Sequence, residues 1–393
     1  MAAPSERMLT TEEAARRLGV KVPTLYAYVS RGLLESHRDP IRRGSLFDLA
    51  EIEGLAARSR GGRQTATRLA TITTGVTQLS QEQGPIYRGR AATDLATSML
   101  FEDVAELLWL SDERGDWAPP ELGPCPLDHT LNRMRWALVM CGSTDPLRAD
   151  LRPAAVARAG RRAAAALTEV VGPPPPGGDI GSSLAARLTA RLAPASDSVE
   201  VTAVNAALVL MADHELATST VAVRVAASVR SDLYDALLAG LATLAGPLHG
   251  GASQQAYELL VVAERDGVSR ALNDVLREQG RLPGFGHAVY KSGDARFTAL
   301  MALAEPLLGA EQRAIVDEVI GLAAAHDVPL PNCDLALAAL SWGTGMPPDT
   351  GRTLFAVARV AGWTAHYLEE LTERPLRFRA RATPSRSATT SSS

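Results

Sequence analysis

The chain has 393 residues, of which 46% are hydrophobic, 21% charged and 5% aromatic, and its formal net charge is −4. The length allows two or three domains, and the composition is ordinary for a soluble globular protein. The slightly negative charge excludes a polycation that binds nucleic acid along its whole length. Abundant alanine and leucine favour helices, so the composition predicts an all-α fold.

The cysteines and the apolar stretches indicate the cellular compartment. Cys125, Cys141 and Cys333 are spaced too irregularly for a disulfide framework or a zinc site. The N-terminus has no apolar run of signal-peptide length, and stretches such as residues 201–212 are too short to span a bilayer. We therefore expect a cytoplasmic protein with reduced thiols.

Two short helices are predicted near the N-terminus. The first starts with a capping threonine and stops at Gly19, and the second starts near Pro23 and ends at Gly32. Two short helices joined by a tight Gly19-Val20 turn make a helix-turn-helix. A basic loop with Arg38, Arg42 and Arg43 follows, and this order resembles the winged helix-turn-helix of the MerR and excisionase kind.

This resemblance implies that the second helix enters the major groove of DNA and that the loop after it contacts the backbone. The candidate DNA contacts are Lys21, Thr24, Tyr26, Tyr28, Arg31, Arg42 and Arg43. Residues 1–64 hold 11 Lys and Arg against 8 Asp and Glu, a small excess, while the remaining residues hold 29 against 36. Specific DNA-binding proteins make several phosphate contacts, so a protein–protein adaptor or a unit that binds nothing stays an alternative.

Beyond this unit the composition predicts a linker, a long helical body and a tail. Residues 59–63 are polar and contain glycine, which is typical of a linker. Apolar residues recur at helical spacing up to about residue 375, and strand-like alternation is confined to residues 68–76 and 84–88. The Ser-, Thr- and Arg-rich residues 379–393 have no apolar periodicity and are predicted to be disordered.

Three of the seven histidines lie in polar or Gly-rich settings that differ from core packing. His214 stands between Asp213 and Glu215 at the end of an apolar helix, where burial is costly unless the charges meet partners or a ligand. His249 and His287 are flanked by glycines, which let a ligand approach closely. One such histidine could be a surface residue, but three in one chain point to a functional site.

Around these histidines the chain resembles the citrate synthases. The segments that look like signatures of that family are ADHELATST at His214, GPLHGGA at His249, GFGHAVY at His287 and LPNCD at Asp334. They follow one another in the family's order, within a resemblance that runs from about residue 68 to residue 380. The resemblance implies that His249 and His287 are catalytic, that Asp334 is the catalytic base and that His214 binds oxaloacetate.

The resemblance also implies three arginines that bind the substrate carboxylates. Arg296 and Arg359 match two of them. The family takes the third from the partner subunit, usually inside an Arg-Pro-Arg string near the C-terminus, and Arg377 is the best match although Phe378 replaces the proline. Lys291 follows His287 and is a candidate for contact with the phosphates of CoA.

The residue types suit the condensation of acetyl-CoA with oxaloacetate independently of the family's name. A carboxylate such as Asp334 removes the weakly acidic methyl proton only if the enol oxygen is stabilised as it forms, and neutral His249 can donate that hydrogen bond. His287 can polarise the keto carbonyl, and guanidinium groups bind carboxylates bidentately. The sequence has no metal cluster and no Gly-rich phosphate loop, so we expect no tightly bound cofactor, with acetyl-CoA as a cosubstrate.

Several positions depart from the family pattern. Ala295 stands where proline is usual, residues 335–338 lack the aromatic and serine side chains that commonly follow the base, and residues 110–200 match poorly. These departures remove no catalytic group, but they bear on the acyl-CoA and the keto acid preferred. The other four histidines lie in sequence contexts that give no sign of function. His366, with Trp363, is expected to be structural, and we expect surface positions for His37, His129 and His326.

The resemblance implies an all-α fold with two helical domains behind the helix-turn-helix unit. The predicted domains are a helix-turn-helix domain at 1–62, a large domain at 65–250 and 345–380, a small domain at 251–344 and a disordered tail at 381–393. The family dimerises through the large domain, so at least a homodimer is expected. Two alternatives stay open: 2-methylcitrate formation from propionyl-CoA, and a catalytically weak metabolite sensor that drives DNA binding.

Overall fold

A computed structural model divides the chain into two compact units, Met1–Thr73 and Thr74–Ser393. The structure describes residues 8–18, 20, 22–30, 34, 36–38, 44–49, 51–52, 72–111, 115–173, 182–193, 198–246 and 250–379. The predicted linker at 59–63 and the predicted tail at 381–393 lie outside these residues. No helix among them is both long enough and apolar enough to cross a bilayer.

The N-terminal unit contains two helices and a small antiparallel sheet in the order β1-β3-β2. Its elements are β1 (Met8–Thr10), α1 (Thr11–Leu18), α2 (Val22–Ser30), β2 (His37–Arg38) and β3 (Ser45–Asp48). A reciprocal capping box starts α1, because the hydroxyl of Thr10 accepts the N–H of Glu13 and the Glu13 carboxylate accepts the N–H of Thr10. The two predicted helices are therefore confirmed to within one or two residues.

A second three-stranded sheet opens the larger unit, made of β4 (Thr77–Ser80), β5 (Gly84–Tyr87) and β6 (Arg90–Ala91). The strand predicted at 84–88 is confirmed by β5. Of the strand predicted at 68–76, the structure describes residues 72–76, and there the prediction is wrong. Side chains, and not a neighbouring strand, bind the backbone at Gly75. The N–H of Gly75 donates to the Glu369 carboxylate, and Arg88 donates to the carbonyl of Gly75.

The rest of this unit is helical, which confirms the predicted all-α fold apart from the two small sheets. Its helices are α3 (Ala92–Ser98), α4 (Phe101–Trp109), α5 (Thr130–Thr144), α6 (Pro153–Glu169), α7 (Leu184–Leu192), α8 (Ser198–Met211), α9 (Thr218–Ser228), α10 (Leu233–Leu244), α11 (Ala252–Asp266), α12 (Val268–Gln279), α13 (Ala295–Ala304), α14 (Ala310–Ala325), α15 (Cys333–Gly343) and α16 (Thr350–Leu371). A short 3-10 turn, Glu305–Leu307, follows α13. Several of these helices are apolar nearly all round, as expected for elements buried on more than one side.

The larger unit has two hydrophobic cores that share helix α15. One face of α15 contributes Ala336, Leu337 and Leu340 to the first core, which is built mainly on α3–α10 and α16. Its opposite face contributes Leu335 and Trp342 to the second core, built mainly on α11, α12 and α14. A helix covered on both sides by apolar layers has a well-fixed axis, so the N-terminus of α15 is held at the junction of the two cores.

Candidate functional site

Five of the predicted site residues line one cavity of about 410 Å³ at that junction. They are His214, His287, Arg296, Asp334 and Arg359, contributed by segments spread over more than a hundred residues of sequence. The carboxylate-bearing Glu215 and mostly apolar or small side chains, including Leu79 and Phe355, complete the lining. A concave site with a few convergent polar groups is the usual form of a small-molecule site.

Two segments pair through their backbones and thereby bring His287 close to Asp334. The N–H of Gly286 donates to the carbonyl of Leu330 at 2.8 Å, and the N–H of Asn332 donates to the carbonyl of Gly284 at 2.8 Å. Gly284 has φ +80°, and a Cβ there would lie 2.9 Å from the Cβ of Leu335. Only glycine tolerates both the positive φ and this close approach to Leu335, which explains the glycine at position 284, three residues before His287.

Asp334 lies in the first turn of α15. The side chain of Asn332 caps the helix by accepting the N–H of Asp334 at 2.9 Å, and its amide donates to the carbonyl of Gly286. Burial raises the pKa of the Asp334 carboxyl to about 6, with Arg296 opposing the shift and Asp294 adding to it. The carboxylate is therefore a stronger base than an exposed aspartate, yet it stays ionised at neutral pH.

His287 presents one defined ring nitrogen to the cavity. Its Nδ1 accepts the backbone N–H groups of Val289 and Tyr290 at 3.0 and 3.2 Å. Burial and the positive charge of Arg296 lower the pKa of His287 to about 4, so the ring is neutral at pH 7. With Nδ1 accepting two backbone N–H groups, the single proton sits on Nε2, which is then a hydrogen-bond donor. Nη2 of Arg296, itself only a donor, lies 3.4 Å from this Nε2 and is a long contact there and not a hydrogen bond.

His214 follows the C-terminus of α8 and contacts the same loop. Its Nε2 lies 3.0 Å from the phenol oxygen of Tyr290, and its ring centroid lies 5.2 Å from that of His287. Burial, Arg296 and Arg359 together lower the pKa of His214 well below its usual value. Both imidazoles are therefore uncharged, and the cations of the cavity are the two guanidinium groups.

The two arginines differ in their partners. Arg296 is bound bidentately by Asp294, with Nε to Oδ1 at 2.9 Å and Nη2 to Oδ2 at 2.8 Å. Arg359 is buried, with its guanidinium carbon 4.5 Å from the ring centroid of Phe355, and its Nε and Nη1 have no hydrogen-bond partner among the described residues. An unpartnered buried guanidinium facing a cavity is suited to a carboxylate ligand.

The remaining predicted residues of the larger unit lie elsewhere. Lys291 is exposed, donates from Nζ to the carbonyl of His287 at 2.8 Å and lines a neighbouring cavity of about 340 Å³. Arg377 does not line the first cavity but pairs with Glu370, with Nε to Oε1 at 2.6 Å. His249 belongs to the segment 247–249, which lies outside the described part of the chain.

The candidates in the N-terminal unit have mixed exposure. Thr24 and Tyr26 are exposed on α2, whereas Tyr28 is half-buried against the unit's core of Ala14, Leu25 and others. The further candidates lie outside the described residues: Lys21, Arg31, Arg42 and Arg43. The predicted surface histidines are all exposed, namely His37, His129 and His326.

Four residues that touch the site were not singled out from the sequence. Tyr290 contacts both histidines, Asp294 holds Arg296 and Asn332 caps the helix of Asp334. Phe355 lies beneath the guanidinium of Arg359. A usable signal existed for Phe355, which precedes Arg359 by one helical turn, and for Asn332, which has the side chain of a helix cap.

Family models match most of the chain. One described as "Citrate synthase, C-terminal domain" matches residues 125–381, and one described as "Helix-turn-helix domain" matches residues 8–60. The citrate synthase of Saccharolobus solfataricus is 37% identical over 193 residues, which cover 47% of this chain and 51% of that protein. The 2-methylcitrate synthase 2 of Corynebacterium glutamicum is 29% identical over 336 residues, which cover 76% and 88%.

The matched region spans about half the length of several of these relatives. The citrate synthase 2 of Bacillus subtilis, for example, is 34% identical over 180 residues, which cover 44% of this chain and 48% of that protein. Among solved structures, the citrate synthase of Thermotoga maritima superposes with a TM-score of 0.66 at 22% identity, covering 83% of this chain and 96% of that one. The citrate synthase of Thermoplasma acidophilum, in ternary complex with carboxymethyl coenzyme A and oxaloacetate, gives a TM-score of 0.62 at 25% identity with the same coverage.

Proposed function

Because this chain belongs to the citrate synthase family, we propose that it condenses acetyl-CoA with oxaloacetate and water to give citrate and CoA. The observation that supports this proposal is the convergence of Asp334, His287, His214 and two arginines on one cavity. Citrate synthases need no tightly bound cofactor, and acetyl-CoA serves as a cosubstrate.

The reaction begins with proton removal by Asp334. Its carboxylate takes a proton from the methyl group of the thioester, and the raised pKa makes it a better base for this weakly acidic C–H. The enol oxygen that forms accepts a hydrogen bond from neutral His249, whose role rests on the family resemblance.

The nucleophilic carbon then attacks the keto carbonyl of oxaloacetate. The Nε2–H of His287 donates to the carbonyl oxygen, on which negative charge develops as the new C–C bond forms. That oxygen takes up a proton and becomes the hydroxyl of the condensed product, which is still a thioester. Water must then cleave the thioester, which releases CoA, the third carboxylate and a proton. A neutral His287 is the form required at neutral pH, which agrees with its lowered pKa.

Two carboxylates and a keto group must be held in place for this attack. Arg359 offers two unpartnered guanidinium nitrogens, Arg296 lies 3.4 Å from Nε2 of His287, and His214 completes the keto-acid site. Lys291 lies beside the second cavity, where its ammonium group would face the phosphates of CoA.

A third guanidinium is proposed to come from the partner subunit of a homodimer. Arg377 is the candidate from the sequence, but in this chain it is engaged by Glu370. Arg374 is exposed, precedes Pro375 and forms no ion pair or hydrogen bond with a described residue, which makes it the second candidate. Arg374→Ala and Arg377→Ala should be compared: the arginine that binds substrate is the one whose loss raises the KM for oxaloacetate while the Tm stays within about 2 °C of wild type.

Two acyl groups come into question for the thioester substrate. Relatives of both kinds, citrate synthase and 2-methylcitrate synthase, resemble the chain. Formation of 2-methylcitrate from propionyl-CoA is therefore the alternative at the same site. The ratio of kcat/KM for acetyl-CoA to that for propionyl-CoA decides between them.

The proposal is tested by measuring CoA release with oxaloacetate and each acyl-CoA. Asp334→Ala should lower kcat by at least about a thousandfold, because the residue removes the proton that starts the reaction. Equal rates for wild type and Asp334→Ala with every acyl-CoA would overturn the proposed enzymatic function.

The helix-turn-helix domain supports a second candidate function, a DNA-binding regulator with the synthase body as its metabolite sensor. A dimer would present two such domains to a symmetric operator. Binding should weaken steeply with salt and disappear when residues 1–62 are deleted. Equal gel shifts by the full chain and the deleted chain would reject this role.

We propose the domain boundaries and the cellular location as follows from the cores and the cysteines. A core confined to residues 256–342 supports a separate small domain at 251–344, with 65–250 and 345–380 forming the large domain and 1–62 the helix-turn-helix domain.

The three cysteines are all unpaired, which supports a cytoplasmic location. Cys141 and Cys333 are buried, and Cys125 is half-buried.

A further inference from the structure

One face of helix α16 carries a line of site and buried polar residues. Phe355, Arg359, Gly362, His366 and Glu370 follow one another at intervals of four, three, four and four, which places them on the same side of a helix. Phe355 and Arg359 line the cavity. Two turns beyond Arg359, His366 is fully buried and has no part in the proposed reaction.

The residues after Arg359 on this face contact the turn that carries His214. The N–H of Gly362 donates to the carbonyl of Ala212 at 3.0 Å. A Cβ on Gly362 would lie 2.2 Å from Oδ1 of Asp213, so the absence of a side chain lets α16 approach this turn. From the other side, the phenol oxygen of Tyr87 accepts the N–H of Asp213 at 3.2 Å.

The carboxylate of Asp213, the residue before His214, binds the backbone of Glu215, the residue after it. It is fully buried, and its Oδ2 accepts the backbone N–H of Glu215 at 3.0 Å and lies 3.2 Å from Nε2 of His366. Glu215 has φ +53°, an unusual conformation for a residue with a side chain, which the bond to Asp213 helps to maintain. The position of His214 therefore depends on the Asp213 carboxylate.

The tautomer of His366 follows from its second partner. Its Nδ1 lies 3.1 Å from Nη1 of Arg224, and a guanidinium nitrogen only donates hydrogen bonds. Nδ1 is therefore the acceptor and carries no proton, so the ring N–H lies on Nε2 and faces Asp213. Arg224 in turn is held by Glu369 and Glu370 at 2.6 and 2.9 Å.

We propose that His366 is a positioning residue for the substrate site: its Nε2–H holds the Asp213 carboxylate, and Asp213 fixes the turn that presents His214 to the cavity. The inference rests on the proposed role of His214 in binding the keto acid. His366 does not line the cavity and does not touch substrate, so its loss should act on the KM for oxaloacetate and leave proton removal by Asp334 intact.

Two polar replacements separate the two ring nitrogens of His366. In His366→Gln the side-chain amide reaches the position of Nε2, whereas in His366→Asn the shorter amide reaches only that of Nδ1. His366→Asn should raise the KM for oxaloacetate about tenfold, with kcat within about twofold of wild type. His366→Gln should stay within about threefold of wild type for both constants. Thr364→Val is the matched control, since Thr364 is equally buried on α16 but its side chain packs towards Gly160.

A second measurement separates this inference from the proposed function. The ring ¹⁵N resonances of His214, assigned with a His214→Asn variant, should shift in His366→Asn and remain in place in Thr364→Val, in the absence of any substrate. If wild type releases no CoA, the proposed function fails, while these resonances still report the contact. If His366→Asn does not fold, Asp213→Asn in its place should raise the same KM. Unchanged His214 resonances, or equal KM values for His366→Asn and His366→Gln, would overturn the inference.

Discussion

The phenol oxygen of Tyr290 lies 3.0 Å from Nε2 of His214, and the ring of Tyr290 stacks on that of His287 with centroids 4.6 Å apart. One buried side chain thus joins the histidine proposed to bind the keto acid and the histidine proposed to polarise its carbonyl. The guanidinium carbon of Arg296 lies 5.2 Å from the centre of the same ring. Tyr290 therefore organises three of the site's polar groups from within the loop that carries His287.

Removing the hydroxyl of Tyr290 should disturb His214 and leave His287 in place. Tyr290→Phe keeps the stacked ring but leaves Nε2 of His214 without its partner, so the KM for oxaloacetate should rise about three- to tenfold. The Tm should change by less than about 3 °C, since ring packing is retained. Steady-state kinetics with acyl-CoA saturating measure the effect. An unchanged KM would mean that His214 does not depend on this bond.

The pKa of Asp334 sets the lower limb of the pH profile. The base must be ionised, and its pKa is raised to about 6 by burial, so kcat/KM should fall about tenfold per pH unit below 6 and level off above it. His287, with a pKa of about 4, stays neutral over that range and adds no inflection. Circular dichroism at each pH distinguishes titration from unfolding. A profile that is flat from pH 5 to 8 would contradict the assignment of Asp334 as the base.

The same raised pKa predicts that Asp334 lowers stability at neutral pH. The folded protein binds the Asp334 proton more tightly than the unfolded chain does, because the pKa rises from 3.8 to about 6 on folding. The free energy of unfolding should therefore fall as the pH rises from about 4 to about 6 and then stay low. Asp334→Asn abolishes this loss, so at pH 7.5 it should be more stable than wild type by up to about 3 kcal/mol. Urea denaturation at pH 7.5 and pH 4 measures the difference, which should shrink at pH 4; a less stable Asp334→Asn at pH 7.5 would argue against burial of the charge.

The helix-turn-helix, the helical class and the members of the cavity were predictable because each has a local signature. A capping threonine and a tight Gly-Val turn mark the first two helices, and glycines flank the loop histidines. Those glycines are explained by close backbone approach, as the contact of Gly284 with Leu335 illustrates. Short sequence segments of this kind can be interpreted alone, because the residue type itself indicates the backbone conformation or the close contact that it permits.

Contacts between distant segments were not predictable in the same way. The bond between His214 and Tyr290 spans 76 residues, and nothing in either string indicates the other. The strand expected at 68–76 fails over residues 72–76 because Glu369, almost 300 residues away, takes the N–H of Gly75. His366 looked like a packing residue, since the polar face of α16 is evident only once Asp213 and Arg224 are seen against it.

Arg359 supplies the last prediction, which concerns ligand-dependent stability. Its Nε and Nη1 are buried without partners among the described residues, so a substrate carboxylate would satisfy both. Oxaloacetate at about 100 times its Kd should stabilise wild type by about 2.7 kcal/mol, seen as a rise in Tm. Arg359→Gln should lose most of this rise while its ligand-free Tm stays equal or increases, because an unpaired buried cation is costly. Arg270→Gln, which removes an exposed arginine of α12, is the control and should respond to oxaloacetate as wild type does. A full ligand-induced rise in Arg359→Gln would exclude this guanidinium from the keto-acid site.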